Sequence, residues 1–351
     1  MIGVSYTVRS SLLRTTRYFM FDSSHSTRKG DAALFGSGHR YMREPTSHFG
    51  GTVAAVVPTF NRKLLLVQCL HALRSQTRPP DHVYVIDNAS TDGTQDLLHE
   101  SGYGSDPWVT LVRLRANTGG AGGFSEGTRR AHAAGYTWLW LMDDDSEPTS
   151  TCLERLLSAS TVGDAAIVCP LVLGDDGVPQ TYHHKTITRF GFERPTEVTG
   201  HDDMVEVDSN AFVGPLVSAR VFKAVGYPDP GLFIWGDDTE FMWRASKRFR
   251  IVVSGSATIL HKEKRGAAGT KIVPWRQYYF LRNCIWMRRR HGSPTQHFFP
   301  LYIAVRMILG PSGGPTHRLE LLRAFILGLR STVRPEWRPS APSHTAGPQQ
   351  A

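Results

Sequence analysis

Cysteine is scarce: Cys69, Cys152, Cys169 and Cys284 are the whole complement of a 351-residue chain, widely separated and in no paired motif. That argues against a disulfide framework or a zinc site, and fits buried free thiols in a reducing compartment. No run of about twenty uncharged apolar residues occurs, so no membrane-spanning helix is expected. Residues 1–50 lack the apolar core of a signal peptide. Their opening, "MIGVSYTVRSSLLRTTRYFMF", is Arg- and Ser-rich and nearly acid-free. It is weakly similar to an organelle transit peptide, but a poorly ordered extension or a start codon placed too early is the simpler expectation. No internal repeat is present.

Acidic residues are outnumbered, 31 against 40 Lys and Arg, for a formal charge of +9. Such an excess suits an anionic partner: nucleic acid, a phosphorylated substrate or an anionic membrane face. No recognisable nucleic-acid module appears, so that partner is not expected.

What is present begins at "TVAAVVPTFNR". Val53 to Val57 reads as a buried strand that Pro58 ends, and Thr59 or Asn61 can cap the helix "RKLLLVQCLHALRSQ". "HVYVIDNAS" is a second strand ending at Asp87, followed by a helix that Ser90 or Thr91 caps. "WVTLVRLRAN" is a third strand, and "TGGAGGFSEGTRRAHAAG" a glycine-rich loop feeding a helix. "YTWLWLMDDD" is the fourth strand. Strands alternating with helices predict a parallel sheet covered on both faces, with ligands at the carboxyl ends of its strands. Asp87, Asn117 and Asp143 to Asp145 all fall there. Farther on, "AAIVCPLVL" and "FRIVVSGSATILH" read as strands, and "PDPGLFIWGDDTEFMWRASKRF" as a turn and a short helix.

Three adjacent aspartates behind "WLWLM" repel one another and need a cation or water. A helix cap accounts for Asp145 or Ser146, since "DSEPTSTCLERLL" starts a helix, but leaves Asp143 and Asp144 less well explained. On an extended backbone Asp143 and Asp145 point to one side, with Asp144 facing elsewhere. The pair suits one magnesium or manganese ion shared with a diphosphate. Two chemistries use such a strand end. Aspartyl-phosphate phosphatases of the haloacid dehalogenase type carry it after the first strand, normally trailed by Thr or Val; here it follows three strand–helix units and is trailed by Ser146 and Glu147. The other is sugar transfer from a nucleotide diphosphate.

For the second, an ordered set of segments from Thr52 to Asn283 resembles the family 2 glycosyltransferases: "VAAVVPTFNR", "HVYVIDNASTDGT", "RANTGGAGGF", "WLWLMDDDSEP", "GDDTEFMWR" and "ILH". The resemblance implies the α/β GT-A fold, a mostly parallel Rossmann-like sheet flanked by helices, with a C-terminal helical extension. It implies a catalytic domain over 51–270; an aromatic and basic helical region is expected over 271–334, and the Pro-rich, polar composition of 335–351 predicts a disordered tail. Thr59, Asn61, Asp87, Asn117, Gly119, Gly120 and Asp144 are implied at the nucleotide-sugar donor, Asp87 accepting from the uracil ring. Asp143, Asp145 and His261 are implied metal ligands for Mg2+ or Mn2+. Asp238 is the implied general base with Asp237 as its fallback, because Asp replaces the family's usual Glu; Arg244 matches the arginine beyond them. Trp235 either stacks on an acceptor sugar or packs in the core.

Within the family, "NTGGAGGF", the aspartates and "LFIWGDDTEF" resemble actinobacterial galactofuranosyltransferases and, nearly as well, bacterial rhamnosyltransferases. "YYFLRN" is similar to the segment that follows their catalytic domain. The resemblance implies a lipid-linked glycan acceptor and a cytoplasmic protein, peripheral on the inner face of the plasma membrane. Phe298 to Leu309 and Leu319 to Leu329, apolar with arginines, suit an anionic bilayer surface; packing on the catalytic domain or in a homo-oligomer is the alternative. A non-catalytic nucleotide or glycan binder is the reading outside enzymology.

Overall fold

The computed structural model describes residues 51–262, 274–309 and 315–329. The expected extension over 1–50, the boundary near 270 and the tail over 335–351 lie outside the described residues. In chain order the elements are β1 (Val53–Thr59), α1 (Lys63–Arg74), β2 (His82–Asp87), α2 (Thr94–Glu100), β3 (Val109–Arg113), α3 (Gly119–Ala133) and β4 (Trp138–Leu141). Next come β5 (Ser146–Pro148), α4 (Cys152–Ser160), β6 (Ile167–Leu173), β7 (His184–Ile187), β8 (Glu193–Pro195), β9 (Met204–Glu206) and β10 (Ser209–Asn210). The remainder are β11 (Leu216–Ser218), α5 (Ala219–Val225), α6 (Asp237–Ser246), β12 (Ile251–His261), α7 (Pro274–His291), α8 (Phe298–Leu309) and α9 (Pro315–Gly328).

The main sheet runs β3-β2-β1-β4-β11-β6-β12-β5, with β9 beside β12. The first four strands are parallel, as the alternating pattern predicts. β11 then lies antiparallel between β4 and β6, and β5 antiparallel to β12. Neither short strand is legible in the sequence, because three residues carry too little periodicity. β1 is buried along its whole length, as an inner strand with both faces covered must be. Trp140 is fully buried too, its indole N–H donating to the Gly214 carbonyl at 2.9 Å.

Several local expectations need correction. Pro58 lies inside β1, paired with Ile86; the β4 side of β1 is paired only as far as Val56, so the missing N–H is not needed there. Neither Thr59 nor Asn61 caps α1: Asn61 has φ +54° and accepts from the Thr91 N–H, joining the loops after β1 and β2. Gly93 takes the cap position of α2, where Ser90 or Thr91 was expected. The glycines after Thr118 form the start of α3 itself. They permit close packing: a Cβ on Gly123 would sit 2.7 Å from Pro58 Cβ. The helix after the aspartates begins only at Cys152, because Ser146–Pro148 pairs with β12 first.

All four cysteines are buried and unpaired. A second sheet, β10-β7-β8, lies beyond the end of β6. Helices α7, α8 and α9 share an apolar core that includes Tyr278, Tyr279, Leu281, Ile285 and Leu321, against which Phe233 and Ile234 pack. No described helix is long and apolar enough to cross a membrane.

Candidate active site

The aspartates follow β4 in a turn, not on extended backbone; the Ser146 N–H donates to the Asp143 carbonyl at 3.2 Å. The turn, in place of the expected strand pleat, directs their side chains. Asp144 is also tied inward rather than facing elsewhere: its Oδ2 accepts from the Thr59 hydroxyl at 2.7 Å, and its Oδ1 from Arg62 at 3.2 Å. Arg62 reaches Asp145 Oδ2 as well, at 2.6 Å. Burial pushes Asp144 up to about 6, against the pull of Arg62. Burial also raises Asp145, but His261 and Arg62 outweigh it and hold that carboxyl below its ordinary value. Asp143 is pushed well up by burial and by its two acidic neighbours.

Asp143, Asp145 and His261 bring one ligand atom each to within 4.8 Å of one another. His261 Nε2 lies 3.3 Å from Asp145 Oδ1, and that buried oxygen has no hydrogen-bond partner among the described residues. Behind the ring, Gln180 Oε1 accepts from His261 Nδ1 at 3.2 Å and from His183 Nε2 at 3.0 Å. Burial and His261 drive the His183 imidazole down to about 3, so it is neutral. Two carboxylates and an imidazole whose Nε2 faces them fit a divalent cation with an oxygen-rich shell.

Arg62, Asp143, Asp145, His183 and His261 line a cavity of about 860 Å³. Gly120, Asp237, Asp238 and Trp235 line it too, with Lys185, Phe192, Phe280, Asn283 and Arg288. Asp237 and Asp238 open α6, whose cap Gly236 has φ +86°. Burial and then Asp238 push Asp237 up to about 8. Asp238 is raised by burial, with Lys185 opposing. Lys185 is bound to Glu193 at 2.9 Å, and Glu193 also meets Arg288. Arg244 has a structural place instead: it bridges Glu240 and the Tyr227 carbonyl at 2.9 Å each.

The donor-side residues spread more widely. Asp87 is fully buried at the end of β2 and does not line this cavity. Its Oδ1 accepts from the Ser90 N–H at 2.8 Å, while Oδ2 has no partner among the described residues. Asn117 Oδ1 accepts from the Gly119 N–H at 2.8 Å, and the Ala121 N–H donates to the Phe233 carbonyl at 3.2 Å. Two amides of the α3 terminus are therefore already bonded. Sequence reasoning missed Arg62, Gln180, Lys185 and Asn283. Arg62 stands in the quoted "PTFNR" and Asn283 in "YYFLRN"; the others carry no local signal.

The sheet and the helices around it define a GT-A fold. Residues 54–215 match the family model described as "Glycosyl transferase family 2". It is 36% identical over 195 residues to the galactofuranosyltransferase GlfT1 of Mycolicibacterium smegmatis, covering 54% of this chain and 63% of that one. It is 26% identical over 251 residues to the dTDP-rhamnosyl transferase RfbF of Shigella flexneri, covering 69% and 81%. The chain spans under two thirds of the length of the galactofuranosyltransferases it matches. Among solved structures, GalNAc-T7 with UDP, GalNAc and Mn2+ shares the fold at a TM-score of 0.59 and 16% identity, over 78% of this chain and 54% of that one.

Proposed function

We propose that the protein is an inverting glycosyltransferase that moves galactofuranose from UDP-galactofuranose to a polyprenyl-diphosphate-linked glycan. One observation carries the reading: Asp143, Asp145 and His261 share a single cavity with the acidic pair Asp237–Asp238. The first group suits a diphosphate neutralised by a cation, the second an attacking hydroxyl.

Asp143, Asp145 and His261 would hold Mg2+ or Mn2+, which when bound offsets charge developing on the departing diphosphate. Asp238 accepts the proton of the acceptor hydroxyl as that oxygen attacks the anomeric carbon and the bond to the diphosphate breaks. Asp237, raised to about 8, is the neutral member at pH 7, which leaves the base role to Asp238. Asp87 offers its orphaned Oδ2 to a base N–H, and Trp235 offers an aromatic face to an acceptor sugar.

The lipid-linked acceptor and a peripheral place on the inner membrane face are supported by α8, where Phe298 is 75% and Leu309 72% exposed beside Arg306. Rhamnosyl transfer from dTDP-rhamnose is the second reading, favoured by the longer match to RfbF. Incubation with manganese, a short polyprenyl-diphosphate acceptor and each donor in turn decides between them. Release of UDP with a lengthened acceptor from UDP-galactofuranose supports the first; turnover of neither donor overturns both.

A further inference from the structure

The segment between Asp229 and Gly236 leads straight into the acidic pair, and its backbone is unusual. Phe233 and Trp235 have φ of +66° and +67°, a left-handed region that bulky side chains rarely adopt. Such a conformation persists only when the surroundings over-determine it. The surroundings are one corner of α7. Asn283 Nδ2 lies 3.0 Å from the carbonyl oxygens of Leu232 and Ile234 and 2.6 Å from that of Trp235. Arg282 reaches the Gly231 and Leu232 carbonyls, each at 2.9 Å, and donates from Nε to Asn283 Oδ1 at 2.9 Å. Both side chains are buried, Arg282 at 3% and Asn283 at 1% exposure.

Burying a guanidinium to bind main-chain carbonyls is a costly way to gain stability, since burial already lowers its pKa. The arrangement instead fixes a shape. On the other flank, the Phe233 carbonyl accepts from Ala121 at the start of α3, and a Cβ on Gly119 would overlap that same oxygen. The segment is thus clamped between α3 and α7, and Ile234, Trp235, Gly236 and Asn283 all face the cavity.

We infer that Arg282 and Asn283 are positioning residues for acceptor attack: by holding Leu232 to Trp235 in this conformation, with Phe233 and Trp235 at positive φ, they set where Trp235 and Asp238 stand. This rests on the proposed transferase reading and deepens it. The cation site, on the turn after β4 and at the end of β12, shares no residue with the clamp.

The test is Asn283→Asp, which keeps the oxygen used by Arg282 and removes the amide donors. Arg282→Lys serves as a second variant should the first fail to fold. Three quantities are read: hydrogen exchange of the peptide over 229–236, acceptor-dependent kcat, and the donor KM with donor hydrolysis in the absence of acceptor. Exchange over 229–236 is expected to quicken while that over β1 is unchanged. Acceptor-dependent kcat is expected to fall roughly 10²-fold, as for a misplacement near 1 Å, with donor KM and hydrolysis within about twofold of wild type. A parallel fall in hydrolysis, transfer and Tm, or unchanged exchange and kcat, would overturn the inference. Should wild type turn over neither nucleotide sugar, the transferase reading fails by itself, and the exchange measurement still decides whether α7 holds the segment.

Discussion

Gln180 accepts from Nδ1 of His261 through its amide oxygen, and Nε2 of that ring is turned toward Asp145 at 3.3 Å. An amide oxygen can only accept, so Nδ1 is held as the donor from behind the site. Gln180→Leu removes this control, and His183 loses the same partner. Affinity for Mn2+, read by calorimetry on the folded protein, is expected to fall about 10- to 100-fold. An unchanged affinity would detach His261 from cation binding.

Arg62 stands across the same carboxylates as an internal counter-cation. Its guanidinium is about half exposed, so solvent weakens the pairing, but Asp144 and Asp145 are buried. Removing it leaves two buried carboxylates uncompensated. Arg62→Ala is expected to lower Tm in cation-free buffer, and added Mn2+ to raise Tm more than in wild type. Equal Mn2+ shifts in the two proteins would show that Arg62 and the cation do not share these carboxylates.

Asp237 gives a stability prediction with a defined sign. Its carboxyl is raised from 3.8 to about 8 on folding, by burial first and Asp238 second. Between those values the unfolded chain has lost a proton that the folded protein keeps, so stability declines as pH rises through the window. Asp237→Asn removes the decline. The variant is expected to match wild type near pH 4 and to exceed it in Tm by pH 8, with the gap widening between. A gap that narrows with rising pH would contradict the assignment.

Asp238, the proposed base, is expected to govern turnover instead. Its carboxyl is raised by burial, with Lys185 opposing, and it must be ionised to accept a proton. Activity should therefore rise with pH on an acid limb above the ordinary aspartate range. Asp238→Asn is expected to lower kcat about 10²- to 10⁴-fold with little change in Tm. Full turnover by that variant would sink the base role.

How much could be read beforehand depended on the length of the pattern. The parallel half was legible because Val53–Thr59 and His82–Asp87 are apolar runs between helices that each span several turns. β5 and β11 were not, since each is three residues long and paired by tertiary contact. Asp143, Asp145 and His261 were named from the sequence, but the pleat offered for the aspartates was the wrong cause: a turn brings them round. Thr59 and Asp144 were assigned separately, and a hydrogen bond of 2.7 Å joins them. Gln180 and Lys185 left no trace, because the site groups they act on, His261 and Asp238, lie far off in the chain.

The central claim is that the acidic turn and His261 hold a cation against the donor's diphosphate. Mn2+ titration followed by electron paramagnetic resonance, on wild type and Asp145→Asn, with and without UDP, tests it most directly. Wild type is expected to bind Mn2+ more tightly when UDP is present, and Asp145→Asn to lose both the binding and the UDP effect. Equal Mn2+ binding by the two proteins, indifferent to UDP, would contradict it.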